Sequence, residues 1–465
     1  MEIKVKDIVK ICNGKLICGN QDDLCIDFSK DTRTIKKDDI YVGIKGENFD
    51  GNVLYKEAFE KGAKACILQG VDVDENTIKA LGNKAIIVVE DTIKALQEIA
   101  KYKRSLYDIP VIAITGSVGK TSTKDIIASV VGEQFKVFKT QGNLNNHIGV
   151  PLTVLSLKDH EALVVEMGMS NAGELTVLSQ IAKPDIAVIT NVGTAHIGNL
   201  GSRENILKAK LEILNGMKEN GTLIINNDND MLHAWKDTYN GSIKIVTYGI
   251  ENKSDYCACN IESFENSSKF SLICNSENYE NLEKIEVPVG GNHFVYNALS
   301  AIAVGKQLNI SIDKIKKGIA DFELTKSRME LIKLENQVTI INDCYNANYD
   351  SMKASIEYLA KTSAARKIAV LGDMLELGDF SNELHTKVGE EVAKNNIDIL
   401  ITVGEMGKVI ANSAKKMNDK VEVNSYETNP AAIEKLKEII QKGDAVLVKA
   451  SNGMKFREIV EELKK

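Results

Sequence analysis

Between Val111 and Lys124 the chain reads Val-Ile-Ala-Ile-Thr-Gly-Ser-Val-Gly-Lys-Thr-Ser-Thr-Lys. An apolar, β-branched run stops at Gly116 and Gly119, and Lys120, Thr121 and Ser122 then open a helix-compatible segment. A strand that turns through glycines into a helix is the layout of a phosphate loop. The glycines let backbone N–H groups face a polyphosphate, the lysine meets the outer phosphates, and the threonine hydroxyl can hold Mg²⁺. Such a loop sits at the carboxyl edge of a parallel sheet covered by helices. The common pattern begins with a glycine where this chain has Ile114, so the loop is a variant of its type.

A chain of 465 residues exceeds what one core serves, and its length predicts about three domains. Residues 1–95 carry short strand-like runs at Ile40–Ile44, Ala65–Leu68 and Ala85–Val89, with a helical stretch from Tyr55 to a stop at Gly62. Residues 96–323 begin with the phosphate-loop strand and continue through Ala162–Glu166, Ile186–Thr190 and Leu223–Asn226, ending after a helix over Val295–Leu308. Residues 324–465 alternate again, with strands at Val338–Asn342, Lys367–Leu371, Ile399–Val403 and Ala445–Lys449. Strands that are apolar throughout and separated by helices predict parallel sheets covered on both faces. The expected fold is therefore α/β in three domains: a smaller N-terminal one, a central sheet of phosphate-loop type, and a C-terminal doubly wound, Rossmann-like sheet without a Gly-x-Gly-x-x-Gly turn.

Composition narrows the partners. The formal charge of −7 offers no electrostatic reason to expect nucleic acid. No apolar run approaches the ~20 residues of a membrane span, and Met1–Lys10 lacks the apolar core of a signal peptide. Cys12, Cys18, Cys25, Cys66, Cys257, Cys259, Cys274 and Cys344 form no Cys-x-x-Cys pair, which predicts free thiols in a reducing cytoplasm.

Open parallel sheets bind ligands at the carboxyl ends of their strands, so the residues there come first. Glu166 closes one strand, and Thr190-Asn191 closes another just before His196. If those strands flank the phosphate-loop strand, a carboxylate and an imidazole meet Lys120 and Thr121 in one crevice, an arrangement suited to a divalent metal beside a triphosphate. Each residue alone has a plainer reading, as a solvated carboxylate or a structural histidine. Lys208 and Lys210, by composition alone, belong to a solvated helix face. The loop Thr140–Pro151 holds Asn143, Asn145 and Asn146, which suit recognition of peptide and carboxylate groups but also turn chemistry. Further on, His293 and Asn297 lie at a helix start, Arg328 can neutralise phosphate, and Asp343 can hold a ribose or orient that arginine.

Together these strings resemble the Mur ligases, the ATP-dependent enzymes that build the peptide stem of the bacterial cell wall. Thr115-Gly-Ser-Val-Gly-Lys-Thr-Ser-Thr is similar to that family's Thr-Gly-x-x-Gly-Lys-Thr loop, which also lacks the first glycine. Within the family, Gln141–Pro151, His196–Asn199, Asp343–Asn348 and Leu371–Gly378 most resemble the members that add D-alanyl-D-alanine to UDP-MurNAc-tripeptide. The family usually has proline after Asn-Ala-Asn, where this chain has Tyr349.

The resemblance implies roles position by position. Thr115, Gly116, Ser117, Val118, Gly119, Lys120, Thr121 and Ser122 would bind the phosphates of ATP, with His293, Asn297, Arg328 and Asp343 around the nucleotide. Thr121, Glu166, His196 and Lys210 would hold Mg²⁺, with Lys210 carried as a carbamate derived from CO₂ and Lys208 as the alternative should the register differ. Lys120, Glu166, His196 and Lys210 would be the catalytic group. Ser29, Asp31, Thr32 and Arg33, with Lys45, Gly46, Phe49 and Asp50, would form the uridine nucleotide site. Asn143, Asn145, Asn146, Tyr345, Asn346 and Asn348 would contact the peptide substrates. The implied enzyme is a cytoplasmic monomer with no nucleic acid partner and no membrane insertion. Two rivals belong to the same superfamily, a ligase for the third stem residue and a folylpolyglutamate synthetase. The first should show an Asp-Asn-Pro-Arg string, which is absent from the sequence, and the second should lack a uridine-binding first domain. A nucleotide-driven switch without ligase chemistry would leave the asparagine loop and the Asp343 string without purpose.

Overall fold

The computed structural model describes residues 2–274 and 283–465. Besides an antiparallel pair of Ile3–Lys4 with Leu24–Cys25, three larger sheets follow one another among the described residues. The first orders its strands Lys15–Cys18, Ala85–Val88, Ala65–Leu68, Ile40–Val42 and Phe28–Ser29, parallel except for the first pair.

The central sheet is the largest. Val111–Thr115 lies between Ala162–Glu166 and Ile186–Ile189, parallel to both, with Val137–Lys139 at one edge. Val111, Ile112, Ala113 and Ile114 are all fully buried, because helices cover both faces and no alternation with polar residues is needed. Beyond Thr222–Asn226 and Lys244–Gly249 the sheet continues into Tyr256–Ser263, Ser268–Cys274 and Glu283–Val287, which pair antiparallel with one another. This mixed edge corrects the expectation of a purely parallel central sheet. Its strands are half-exposed and alternate polar with apolar, as in Cys-Ala-Cys-Asn-Ile-Glu, so they lack the continuous apolar run that marks their neighbours.

The C-terminal sheet runs Glu330–Lys333, Thr339–Asn342, Ala445–Lys449, Lys367–Gly372, Ile399–Val403 and Glu422–Tyr426, parallel apart from the first strand. Ile341, Leu371 and Leu447 on one face join the apolar core that extends through the other two sheets, while Ile340, Val370 and Val446 pack into a separate cluster. Both faces are thus covered, as a doubly wound sheet requires. The helix Thr92–Ser105, capped by Asp91, runs unbroken through the expected junction at residue 95 and packs on the central helices Gly149–Leu155 and Glu174–Ala182.

Candidate active site

The phosphate loop is shaped from the next strand end. Asn191 Oδ1 accepts from the N–H groups of Ser117 (3.0 Å) and Val118 (2.9 Å), and Thr190 Oγ1 donates to Val118 O at 2.6 Å. Gly116 must be glycine, since a Cβ there would stand 1.9 Å from Thr190 Oγ1. Gly119, at φ +83°, turns the chain into the helix Lys120–Gly132, whose first N–H groups have no partner within the helix and face outward with the positive end of its dipole. Lys120 Nζ donates to Gly116 O at 2.7 Å. Burial holds its pKa below the ordinary lysine value, with Glu166 opposing that shift and Arg328 adding to it.

The strand order satisfies the condition for convergence, for Ala162–Glu166 and Ile186–Ile189 flank the loop strand. Glu166 is buried; Asn145 Nδ2 donates to its Oε1 at 2.8 Å, and its Oε2 has no hydrogen-bond partner among the described residues. His196 sits at φ +62°, and burial, with Lys120 adding to it, lowers its pKa toward a neutral imidazole. The amine of Lys210, on the buried face of the helix Arg203–Leu211, makes no hydrogen bond or ion pair among the described residues. Burial drives its amine well below the ordinary lysine range, and Lys120 reinforces the shift. Lys208 stands on the exposed side of the same helix.

This donor set can be tested against a divalent cation. An orphaned carboxylate oxygen and a neutral imidazole suit one, whereas a lysine ammonium does not. Lys210 would fit as a carbamate, the product of its amine with CO₂, because that group would supply an anionic oxygen where an ammonium would face Lys120.

The C-terminal unit closes the cleft. Arg328 stacks on Tyr345, 3.9 Å from the ring centroid, and its Nη2 reaches Thr121 Oγ1 at 3.4 Å. Ser327 and Met329 on either side of it have φ +62° and +48°, so the segment entering this unit is conformationally strained. Asp343 accepts from Ser355 Oγ (2.8 Å), Met329 N (3.2 Å) and the buried Lys449 Nζ (2.5 Å), while Lys449 also donates to Asn346 O at 3.1 Å. Asn348 caps the helix Tyr349–Ala360 through a capping box, and its Nδ2 reaches Ser117 O at 3.4 Å. Tyr349 therefore occupies the first helical position, where a proline would also fit. Asp350 Oδ2 accepts from Thr194 N (2.8 Å) and Thr194 Oγ1 (3.0 Å).

Between the units lies a cavity of about 130 Å³ lined by Gly119, His293, Asn297, Arg328, Asp343 and Lys449. A second, of about 230 Å³, shares His293 and Tyr296 and reaches Phe264 and Tyr358. Burial pushes the His293 pKa down to about 4, against the pull of Asp343, so this ring is neutral near pH 7.

Other expected residues are placed differently. Asn146 Oδ1 accepts from Ile148 N and Gly149 N at a helix start, and Asn143 is exposed, so of the three loop asparagines Asn145 alone is wired to Glu166. In the N-terminal unit Arg33 forks onto Asp31 (2.9 and 2.6 Å), which holds that carboxyl well below the usual range. Ser29 Oγ accepts from Asp31 N at 3.1 Å, and Thr32 Oγ1 donates to Glu57 at 2.8 Å. The backbones of Lys45 and Asp50 form an isolated antiparallel β-bridge, Gly46 N donates to Phe49 O at 2.9 Å, and the Phe49 ring is exposed. No hydrogen bond or ion pair among the described residues joins this group to the phosphate loop. Asp350, Glu376 and Lys449 were not singled out from sequence. Asp350 and Glu376 act through contacts across units and Lys449 through Asp343 and Asn346 of its own unit, and of the three only Glu376 lies in one of the motif strings, Leu371–Gly378.

Residues 114–305 match the Mur ligase middle domain, and residues 327–452 match the Mur ligase, glutamate ligase domain. Over 462 residues the chain is 40% identical to the UDP-N-acetylmuramoyl-tripeptide–D-alanyl-D-alanine ligase of Bacillus subtilis (strain 168), covering 99% of this chain and 98% of the relative. It resembles the crystal structure of MurF from Acinetobacter baumannii with a TM-score of 0.87 at 28% identity, covering 100% of this chain and 99% of the other. The MurF ligase from Thermotoga maritima in complex with ADP gives 0.81 at 28% identity, with 94% and 97% covered.

Proposed function

The chain belongs to the Mur ligase family, and from that premise we propose that it uses ATP to join D-alanyl-D-alanine to UDP-MurNAc-tripeptide in the synthesis of peptidoglycan precursor. The observation that supports this most is the approach to Lys120 of Glu166 and His196, from the ends of the flanking strands, and of Lys210, from the helix Arg203–Leu211, with Arg328 of the next unit reaching Thr121.

The phosphate loop binds the β- and γ-phosphates, and Lys120 exchanges its bond to Gly116 O for an outer phosphate oxygen. The nucleoside end extends toward His293, Asn297 and the cavity beside Tyr358. The terminal carboxylate of the tripeptide attacks the γ-phosphorus, the bond to ADP breaks, and an acyl phosphate forms. The amine of D-alanyl-D-alanine then attacks the acyl carbon, and phosphate leaves from the tetrahedral intermediate. Positioning and charge neutralisation supply most of the catalysis in such transfers. Thr121, Glu166, His196 and carbamylated Lys210 would hold Mg²⁺, which neutralises phosphate charge when bound. Arg328 adds a fixed cation from the closing unit, and that closure shields the acyl phosphate from water.

Ser29, Asp31, Thr32, Arg33, Lys45, Gly46, Phe49 and Asp50 serve the uridine nucleotide, with the exposed Phe49 ring as a stacking surface. Asn143, Asn145, Asn146, Tyr345, Asn346 and Asn348 face the peptide side. The three domains are residues 1–95, 96–323 and 324–465. The enzyme acts as a cytoplasmic monomer; among the described residues no helix is long and apolar enough to cross a membrane. Phosphate release from ATP is expected only when both UDP-MurNAc-tripeptide and D-alanyl-D-alanine are present. Hydrolysis indifferent to the dipeptide would refute the ligase reading in favour of a nucleotide switch.

A further inference from the structure

His196 and Glu376 meet across the interface between the central and C-terminal units. His196 Nδ1 stands 3.0 Å from Glu376 Oε2, at hydrogen-bond distance though not yet in hydrogen-bond alignment. Neither residue is glycine, yet both adopt left-handed backbone, at φ +62° and +66°. Paired strain of this kind persists only where surrounding contacts hold it.

Those contacts are present on both sides. The loop carrying Glu376 is braced at successive positions. Asp373 Oδ1 accepts from Gly407 N at 2.8 Å, His385 Nε2 accepts from Met374 N at 2.9 Å, and Leu375 N donates to Ser451 Oγ at 2.9 Å. His385 can hold Met374 because its Nδ1 faces Ser381 O at 2.7 Å, which fixes the neutral tautomer with Nε2 as acceptor. On the opposite side Gly198 lies against the same loop so closely that a Cβ would come within 2.7 Å of backbone atoms of Glu376, Leu377 and Gly378. Asp350 holds the other end of the His196 loop through Thr194.

We propose that Glu376 is a positioning residue for His196: when the C-terminal unit closes, its carboxylate takes Nδ1 of the imidazole and leaves Nε2 as the nitrogen available to a cation. The metal-holding group is then complete only in the closed enzyme, so nucleotide hydrolysis is tied to a closed cleft. Carboxylates behind metal-ligating histidines fix ring orientation and tautomer, and their loss commonly weakens metal binding by roughly 10–100-fold. This inference rests on the reading of Glu166, His196 and Lys210 as metal-holding residues.

Binding of Mn²⁺ to the protein with ADP, followed by electron paramagnetic resonance, tests it without turnover. The Glu376 side chain is 61% exposed, so its replacement should leave folding intact, and the thermal midpoint without ligands checks this. Glu376→Ala is expected to raise the Mn²⁺ dissociation constant about tenfold, and Glu376→Gln, which keeps an acceptor oxygen, to recover much of the loss. Unchanged Mn²⁺ binding in Glu376→Ala would overturn the proposal. So would a loss in Glu376→Gln as large as that in Glu376→Ala, because the retained acceptor oxygen would then count for nothing. If the unaltered protein binds no Mn²⁺ with ADP, the metal-site reading itself fails, an outcome distinct from failure of the positioning role.

Discussion

Lys210 shares its buried surroundings with Lys120 and has no carboxylate to answer it among the described residues, so an ammonium is its least stable form. A depressed pKa raises the share of neutral amine, and only the neutral amine has the lone pair that attacks CO₂. In the proposed carbamylation the N–C bond would form, a proton would go to solvent, and the side chain would become an anion beside Lys120. Lys210→Ala is therefore expected to lower kcat at least about 100-fold, the scale of losing one electrostatic stabiliser, and added formate or acetate should restore part of it by occupying the vacated space. Lys208→Ala, altered on the exposed face, should turn over nearly normally. The reverse pattern, with rescue confined to Lys208→Ala, would assign the carbamate to the wrong lysine. Composition could not decide between the two lysines, since Lys-Ala-Lys reads as a solvated helix face. What separates them is the 200° that two residues sweep on a helix, which sends one side chain inward and the other out.

The helix Lys120–Gly132 does more than present its N-terminus to phosphate. Asp125, on its buried side, accepts from Lys139 Nζ at 2.8 Å, lies 3.2 Å from Lys124 Nζ, and accepts from Thr325 Oγ1 at 2.7 Å, at the start of the C-terminal unit. Burial alone would raise its pKa, but Lys124, Lys139 and Thr325 outweigh that and hold it below the ordinary aspartate value. A carboxylate depressed in the folded state contributes stability above its unfolded pKa and loses it as pH falls through the folded pKa. Asp125→Asn is thus expected to cost about 3 kcal/mol at neutral pH, the scale of leaving a buried cation unpaired, with the difference shrinking below about pH 4. Urea melts across that range check this, and a constant difference would mean that charge is not the cause. At this scale the sequence was most legible where strands are wholly buried: the runs at Val111, Ala162, Ile186, Lys367 and Ile399 all proved to be strands. It was least legible from Tyr256 to Val287, where strands at a sheet edge bury one face and signal themselves weakly.

Closure of the C-terminal unit joins residues hundreds of positions apart, which is why Asp350 carried no mark in the sequence and Glu376 only the Leu371–Gly378 string around it, while Glu166 and His196, at strand ends near the loop, could be found. Each of these contacts approaches backbone that glycine leaves open. At Gly193 a Cβ would stand 2.2 Å from Asp350 Oδ2, so Gly193→Ala must turn that carboxylate away and sacrifice both bonds to Thr194. Asp350→Ala removes the same bonds directly. If these bonds hold the closed cleft, both variants disfavour it, and KM for ATP should rise several-fold in each with a smaller change in kcat, because binding then includes the work of closing. The double variant distinguishes this from two unrelated defects. Without the carboxylate the added methyl has nothing to displace, so Gly193→Ala/Asp350→Ala should be no worse than either single change, a coupling of order 1 kcal/mol or more. Small-angle scattering with and without ADP supplies the structural side of the comparison, the singles and the double shifting equally toward the open form. Additive losses in KM, with scattering like that of the unaltered protein, would show that Asp350 and Thr194 touch without holding the units together.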